Sequence, residues 1–150
     1  MERTTERPTD HSGLEILDVE ECLERLASQP VGRIAYVDAG APVVLPVNHR
    51  VEGRQIVFRT THGSKLAAAL MERPVAFEVD GYSEEQRSGW SVLVRGRAEV
   101  LFDPAESSQV TGPRPQPWAD QVQRGWWVRI HPEEISGRRL PDRPLEELRG

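Results

Sequence analysis

The sequence predicts a mainly β domain: six or seven antiparallel strands closing into a small barrel, with two or three short helices at the periphery. Short β-type runs follow one another through tight turns, and such connections join neighbours antiparallel. The 12 prolines and 12 glycines in 150 residues supply those turns and leave little room for long helices. Gly96 interrupts the longest β run, Trp90 to Phe102, where a bulge or a barrel corner is expected.

Residues 1–13 are polar and are expected to form a disordered arm, residues 14–140 the domain, and residues 141–150 a polar tail. The first helix is expected from Val19 to Ser28. Asp18 stands as its cap, Glu21 follows at capping-box spacing, and Pro30 ends the segment. Strands are expected at Gly32 to Val37, Val43 to Val51 and Gln55 to Thr61, with turns at Asp38 to Ala41 and Glu52-Gly53. Pro46 inside the second of these suggests an edge, a bulge or a ligand-facing break. A second helix is expected over about Ser64 to Glu72 and is stopped by Pro74. Val75 to Asp80 reads as a buried strand, Gly81 to Ser88 as a charged loop, and Asp103-Pro104 as the start of a third short helix. A last strand is expected over Gly125 to Ile130.

One domain is expected from this length. The net charge of −5 and pI near 5.4 argue against a broad attraction to nucleic acid or anionic membranes, so any anion site must be local. No apolar run approaches the ~20 residues that span a bilayer, and the first residues lack the apolar core of a signal peptide. Cys22 is the single cysteine, so no internal disulfide can form. A cytoplasmic location is the expectation from these features together.

The junction Phe58-Arg-Thr-Thr-His-Gly-Ser-Lys-Leu66 holds Lys65, the only lysine among the 19 Lys and Arg residues. First-turn helix amides lack intrahelical partners and carry the positive end of the helix dipole, so they meet a phosphate readily. Arg59, Thr60, Thr61, Ser64 and Lys65 add cations and hydroxyls, and Gly63 permits close backbone approach. The plainer reading is a Ser-capped helix with a solvated Lys and Arg. The P-loop spacing is absent and no acidic pair stands by to hold a metal, so a phosphomonoester is the expected ligand.

Four segments in order now carry a resemblance: Leu45-Pro-Val-Asn-His-Arg50, Phe58 to Leu66, Gly89-Trp-Ser-Val-Leu-Val-Arg-Gly-Arg-Ala98 and Trp127-Val-Arg-Ile-His-Pro-Glu-Glu-Ile-Ser-Gly-Arg-Arg139. Over about residues 15 to 140 the chain resembles the pyridoxamine 5′-phosphate oxidase-like family of FMN-binding split β-barrels, most closely the small actinobacterial-type flavin-nucleotide-binding members. The resemblance implies a six- to seven-stranded antiparallel split β-barrel and a homodimer with FMN sites at the subunit interface. It implies that Leu45, Pro46, Val47, Asn48 and Arg50 pass the flavin ring, that Arg59, Thr60, Thr61, Ser64 and Lys65 hold the phosphate and ribityl chain, that Trp90 and Ser91 lie near the flavin edge, and that Trp127 helps close the pocket. Flavin-dependent oxidoreductase chemistry follows, with no side chain required as acid or base. The alternatives are an F420-dependent reductase on the same fold, a non-catalytic flavin binder and a cofactor-free barrel. The vitamin B6 oxidases carry a C-terminal Arg–His pair, whereas Ser136-Gly-Arg-Arg-Leu140 has no His, so pyridoxamine phosphate is not the expected substrate.

His49, His62 and His131 could each be proposed as a haem ligand, and His49 and His62 invite a metal reading, but no Cys or paired-carboxylate set completes that one. Cys22 falls on the inner stripe of the first helix and reads as core. Of Trp126 and Trp127, on opposite strand faces, one is expected in the core and the other on a ligand or a partner.

Overall fold

The computed structural model describes residues 7–60, 69–71, 73–101 and 126–141. Seven strands and one helix are formed among them, in the order β1 (Glu15–Leu17), α1 (Val19–Ser28), β2 (Val31–Asp38), β3 (Ala41–Glu52), β4 (Gln55–Thr60), β5 (Pro74–Ser83), β6 (Ser88–Leu101) and β7 (Trp126–Leu140). All named strand pairings are antiparallel, in the order β1-β7-β4-β3-β2-β5-β6, and β6 returns to pair with β7. Six strands therefore form a closed ring, and β1 is added to the far end of β7. The ring is narrowly joined between β2 and β5, where only three residue pairs meet.

Each hairpin follows from its turn residues. Ala39 and Gly40 both adopt positive φ, the conformation that a two-residue turn between right-twisted strands requires. Gly53 does the same between β3 and β4. Ser83 pairs with Ser88, so the β5–β6 loop is only residues 84–87, shorter than the charged loop expected over 81–88.

The last strand is longer than expected. It runs on from Ile130 through His131 and Pro132 to Leu140, because a bulge accommodates the proline. Arg95 pairs with Glu134 and Gly96 with Pro132, which leaves Glu133 as the extra residue. A Cβ on Gly96 would lie 2.1 Å from the His131 carbonyl oxygen, so only glycine fits. The glycine did mark a bulge, but the inserted residue belongs to the facing strand.

One helix among the described residues stands against the two or three expected. Residues 69–70 are helical, while the rest of the second expected helix, apart from Met71, and all of the third lie outside the described residues. Helix α1 has the expected bounds, and the Asp18 carboxylate accepts the Glu21 amide at 2.8 Å. The reciprocal half of the capping box is not made, since Glu21 pairs with Arg7 instead. Of the N-terminal arm, residues 7–13 are described. Pro8 accepts the Ile16 amide at 2.7 Å, and Asp10 accepts the Ser12 and Leu14 amides and Arg138 Nε.

Inside the ring, Ile34, Ile56, Phe58, Phe77, Val79, Val92, Val94, Val128 and Ile130 are fully buried, and Leu17, Cys22 and Leu26 extend the same cluster under α1. Burial also raises the Cys22 thiol pKa, in keeping with a core residue. His49 is 6% exposed and is the one buried polar residue among the described residues. Its Nε2 lies 2.6 Å from the Leu26 carbonyl, one of the four that the end of α1 leaves without an intrahelical partner. Its ring meets Phe77 edge-on at 5.0 Å. His49 is thus a helix-end clamp, and burial pushes its pKa down while the Leu26 bond pulls it up.

An arginine patch on the outer face

Because β4 and β7 put Ile56, Phe58, Val128 and Ile130 inside, alternation turns Val57, Arg59, Trp127 and Arg129 outward. Directly opposed residues share a face, so two adjacent outer rows can be traced. Arg50, Val57, Arg129 and Glu99 form one row across β3, β4, β7 and β6. Arg59, Trp127 and Leu101 form the next. Val57, Leu101 and Trp127 make a small buried apolar cluster of their own. Three guanidinium groups thus rise around an apolar floor.

Arg59 lies with its guanidinium carbon 5.9 Å from the Trp127 ring centre, a cation–π distance. Arg50 donates from Nη2 to Glu52 at 3.0 Å. Arg129 has a buried Nε with no hydrogen-bond acceptor. Its register partner Glu99 turns instead to His131 Nε2 at 2.6 Å, and His131 Nδ1 faces Gln55 Nε2 at 3.1 Å. The ring nitrogens of His49 and His131 that make these contacts are engaged within the protein. Among the described residues, no group of three His, Cys, Asp or Glu is placed to hold a metal ion.

Of the residues expected at a cofactor site, Arg50, Arg59 and Trp127 come together here, and the Thr60 backbone pairs with Trp126 beside them. Trp127 is only 5% exposed, so it serves this patch chiefly as its floor. Leu45 and Val47 point to the core, while Pro46 and Asn48 point outward. Pro46 sits on an open stretch. β4 pairs with β3 only from His49 to Glu52, and among the described residues Ala41 to Asn48 have β2 on one side and no strand on the other. Thr61, Ser64 and Lys65 lie outside the described residues.

Trp90 and Ser91 are not part of this patch. Ser91 is ten residues from Leu101 along β6, roughly 33 Å away. Trp90 packs on the core with Arg25 5.3 Å above its ring, and Ser91 faces outward opposite Asp80. Arg129 was not singled out from the sequence. The signal was available, since Trp127 and Arg129 are two apart in a strand and must share a face.

A second charged group lies on the outer face of β2 and β5. Arg33 reaches Glu78 at 3.4 Å and Asp80 at 3.2 Å. Glu78 is nevertheless pushed up to about 7, first by burial and then by its hydrogen bond and charge contact with Asp80. Arg33 pulls the other way and loses, because two carboxylates share it. Beyond this group the outer face turns apolar. A pocket of about 370 Å³ opens between the β2–β3 hairpin and β5–β6, lined by Val37, Pro42, Val44, Pro74, Arg95 and Arg97 among others.

The described residues thus form a closed ring of six antiparallel strands with an arginine patch on its outer face. The family model described as pyridoxamine 5′-phosphate oxidase matches residues 18–139, and the chain belongs to that family. An uncharacterised protein of Mycobacterium tuberculosis is 31% identical over 147 residues, covering 93% of this chain and 95% of that one. Among solved structures, the FAD-binding protein of Mycobacterium smegmatis is 34% identical, with a TM-score of 0.66 over 84% of this chain and 98% of that one. A candidate pyridoxamine 5′-phosphate oxidase of Corynebacterium glutamicum is 32% identical, with a TM-score of 0.76 over 87% and 96%. No helix among the described residues is long and apolar enough to cross a membrane.

Proposed function

We propose that this chain is an FMN-binding oxidoreductase built on a split β-barrel, with the flavin held on the outer face of β3, β4 and β7. The observation that carries this reading is the grouping of Arg50, Arg59 and Arg129 beside the open edge of β3. Guanidinium groups suit a phosphate, in fork geometry and in charge. An unpaired strand edge offers backbone donors and acceptors to the polar rim of a flat ring, and Pro46 removes one donor there. The donor set therefore fits a flavin nucleotide. A relative that binds FAD, at 34% identity over most of both chains, supports a flavin ligand.

A bound flavin supplies hydride or electron transfer. The residues of the chain bind it, orient it and limit water around it. Arg59 is held on Trp127 and Arg50 by Glu52, so both cations are partly pre-positioned. The remaining expected phosphate contacts are Thr60, Thr61, Ser64 and Lys65.

Among the described residues nothing covers the site, and Trp90 and Ser91 stand far from it along β6. A homodimer is part of the reading, with a second copy bringing its own Trp90 region to the flavin edge. The exposed Val37 and Val44, with Pro42 and Pro46, provide apolar surface for that contact.

The test is titration of the purified chain with FMN, FAD and F420, followed by absorbance and flavin fluorescence, with molecular mass measured by light scattering. Saturable FMN binding by a dimer is expected. F420 binding alone would keep the site and change the cofactor. A monomer that binds FMN tightly would sink the interface site.

A further inference from the structure

We propose that Arg129 is an unassigned ligand-binding residue, which takes the ribityl-linked phosphate of the bound flavin nucleotide. The inference rests on the flavin reading above and gives a role to a residue that the fourth motif segment contains but to which none was assigned.

The argument starts from how this chain treats its other arginines. Six described arginines are neither buried nor exposed: Arg25, Arg50, Arg59, Arg129, Arg138 and Arg139. Arg50 has Glu52, Arg138 has Asp10 and Arg139 has Glu15 as ion-pair partners. Arg25 and Arg59 lie over the rings of Trp90 and Trp127. Arg129 alone of the six has neither a carboxylate nor a ring among the described residues, and its Nε, like those of Arg50 and Arg59 beside it, is buried without an acceptor. Partial burial of a cation with no acceptor is costly, and a chain with 24 acidic residues has the means to avoid it. The nearest means is Glu99, directly opposite on β6, yet its carboxylate is hydrogen-bonded to His131.

Position then says what the missing anion is. Arg129 shares its row with Arg50 and lies one row from Arg59, with Val57 as a buried apolar floor between them. A tetrahedral phosphate with several acceptor oxygens suits three such forks better than a single carboxylate does. A phosphate ends the ribityl chain in FMN, as a dianionic monoester, and in FAD, as half of a pyrophosphate diester, and riboflavin lacks it.

The experiment compares binding of FMN, FAD and riboflavin by the wild-type chain and by Arg129→Met, which keeps an apolar stem over Val57. The expected result is a loss of about 10- to 100-fold in affinity for a phosphate-bearing flavin, with riboflavin affinity changed by less than about 3-fold. Whether FMN or FAD suffers the loss identifies the nucleotide. Equal loss for riboflavin would mean a structural role and would overturn the proposal, as would unchanged FMN and FAD affinity. Should Arg129→Met fail to fold, Arg129→Lys decides, since it keeps the charge and removes the fork. Its phosphate-dependent preference should fall by about 3- to 10-fold, and an unchanged preference refutes the role. If the wild type binds no flavin, the flavin reading fails and inorganic phosphate and pyrophosphate become the probes. Thermal stabilisation of the wild type but not of the variant would uphold Arg129 as an anion site, and equal responses would overturn it.

Discussion

His49 offers a sharp test of how the helix is tied to the ring. The ring nitrogen Nε2 caps the Leu26 carbonyl at 2.6 Å in a site that is 6% exposed. His49→Leu removes that donor and leaves a buried carbonyl without a partner, which costs about 2–3 kcal/mol. His49→Gln keeps a donor near the same place and should cost less than about 1 kcal/mol at pH 8. The same pair tests protonation. Burial holds the His49 pKa below its ordinary 6.5, so the unfolded chain takes up the proton first as the pH falls. The neutral ring's stability is therefore fully present above 6.5 and is lost as the pH drops through that value towards the lowered one. At pH 5.5 the loss reaches at most about 1.4 kcal/mol, the limit in which the folded chain stays neutral. Urea unfolding of wild type and His49→Gln at pH 8 and pH 5.5 measures it, and the comparison cancels every other titrating group that the two proteins share. The wild type should lose ground to the variant on acidification. A constant gap would refute a buried neutral His49, and a wild-type-like His49→Leu would refute the clamp.

Glu78→Gln probes the carboxylate pair. With its folded pKa raised to about 7 from 4.5, the ionised Glu78 is a liability that grows as the pH rises through that window, so the variant should gain on wild type between pH 5 and pH 8. The gain should be about 1 kcal/mol after discounting for a partly solvated side chain, and thermal melts at both pH values read it. Gly96→Ala places a methyl group on the His131 carbonyl, and a cost of about 3 kcal/mol or more is expected as a lower urea midpoint at unchanged slope. Lys65→Ala should weaken FMN binding by about 1.5–3 kcal/mol, and an unchanged titration would remove Lys65 from the phosphate site.

Much of the fold was legible because local chemistry and long-range packing agree. Val19 to Ser28 has a cap, a stripe and a stop, and the helix ends where those signals say. The turns at Ala39-Gly40 and Gly53 determine two hairpins outright. What was not legible depended on partners distant in sequence. Pro132 reads as a strand breaker until Gly96, 36 positions earlier, is seen to absorb the bulge. Glu15 to Leu17 is too short to announce itself and is a strand only because Gly137 to Arg139 offer an edge. At the site, the motif residues Arg50 and Arg59 stood out by resemblance. Arg129 did not, because its meaning lies in the register that seats it beside Val57 and opposite a Glu99 that looks elsewhere.

That arrangement follows from the size of the ring. Six strands enclose a core in which Phe58 and Phe77 stack among buried Ile and Val side chains, the filling expected of so small a ring. On the proposed reading the flavin lies on the outer wall, where alternation has already set the polar residues. An outer wall is also wet, and a phosphate on it would be screened unless something covers the patch. Val57, Leu101 and Trp127 exclude water from below, and the grouped arginines supply the charge. Among the described residues none covers the patch from above, and on the proposed reading a second copy meeting this face would provide that cover. The proposal of a dimeric site thus follows from the same packing that fills the core: a ring with side chains inside it would hold a flavin on its wall, and a second copy would cover it there.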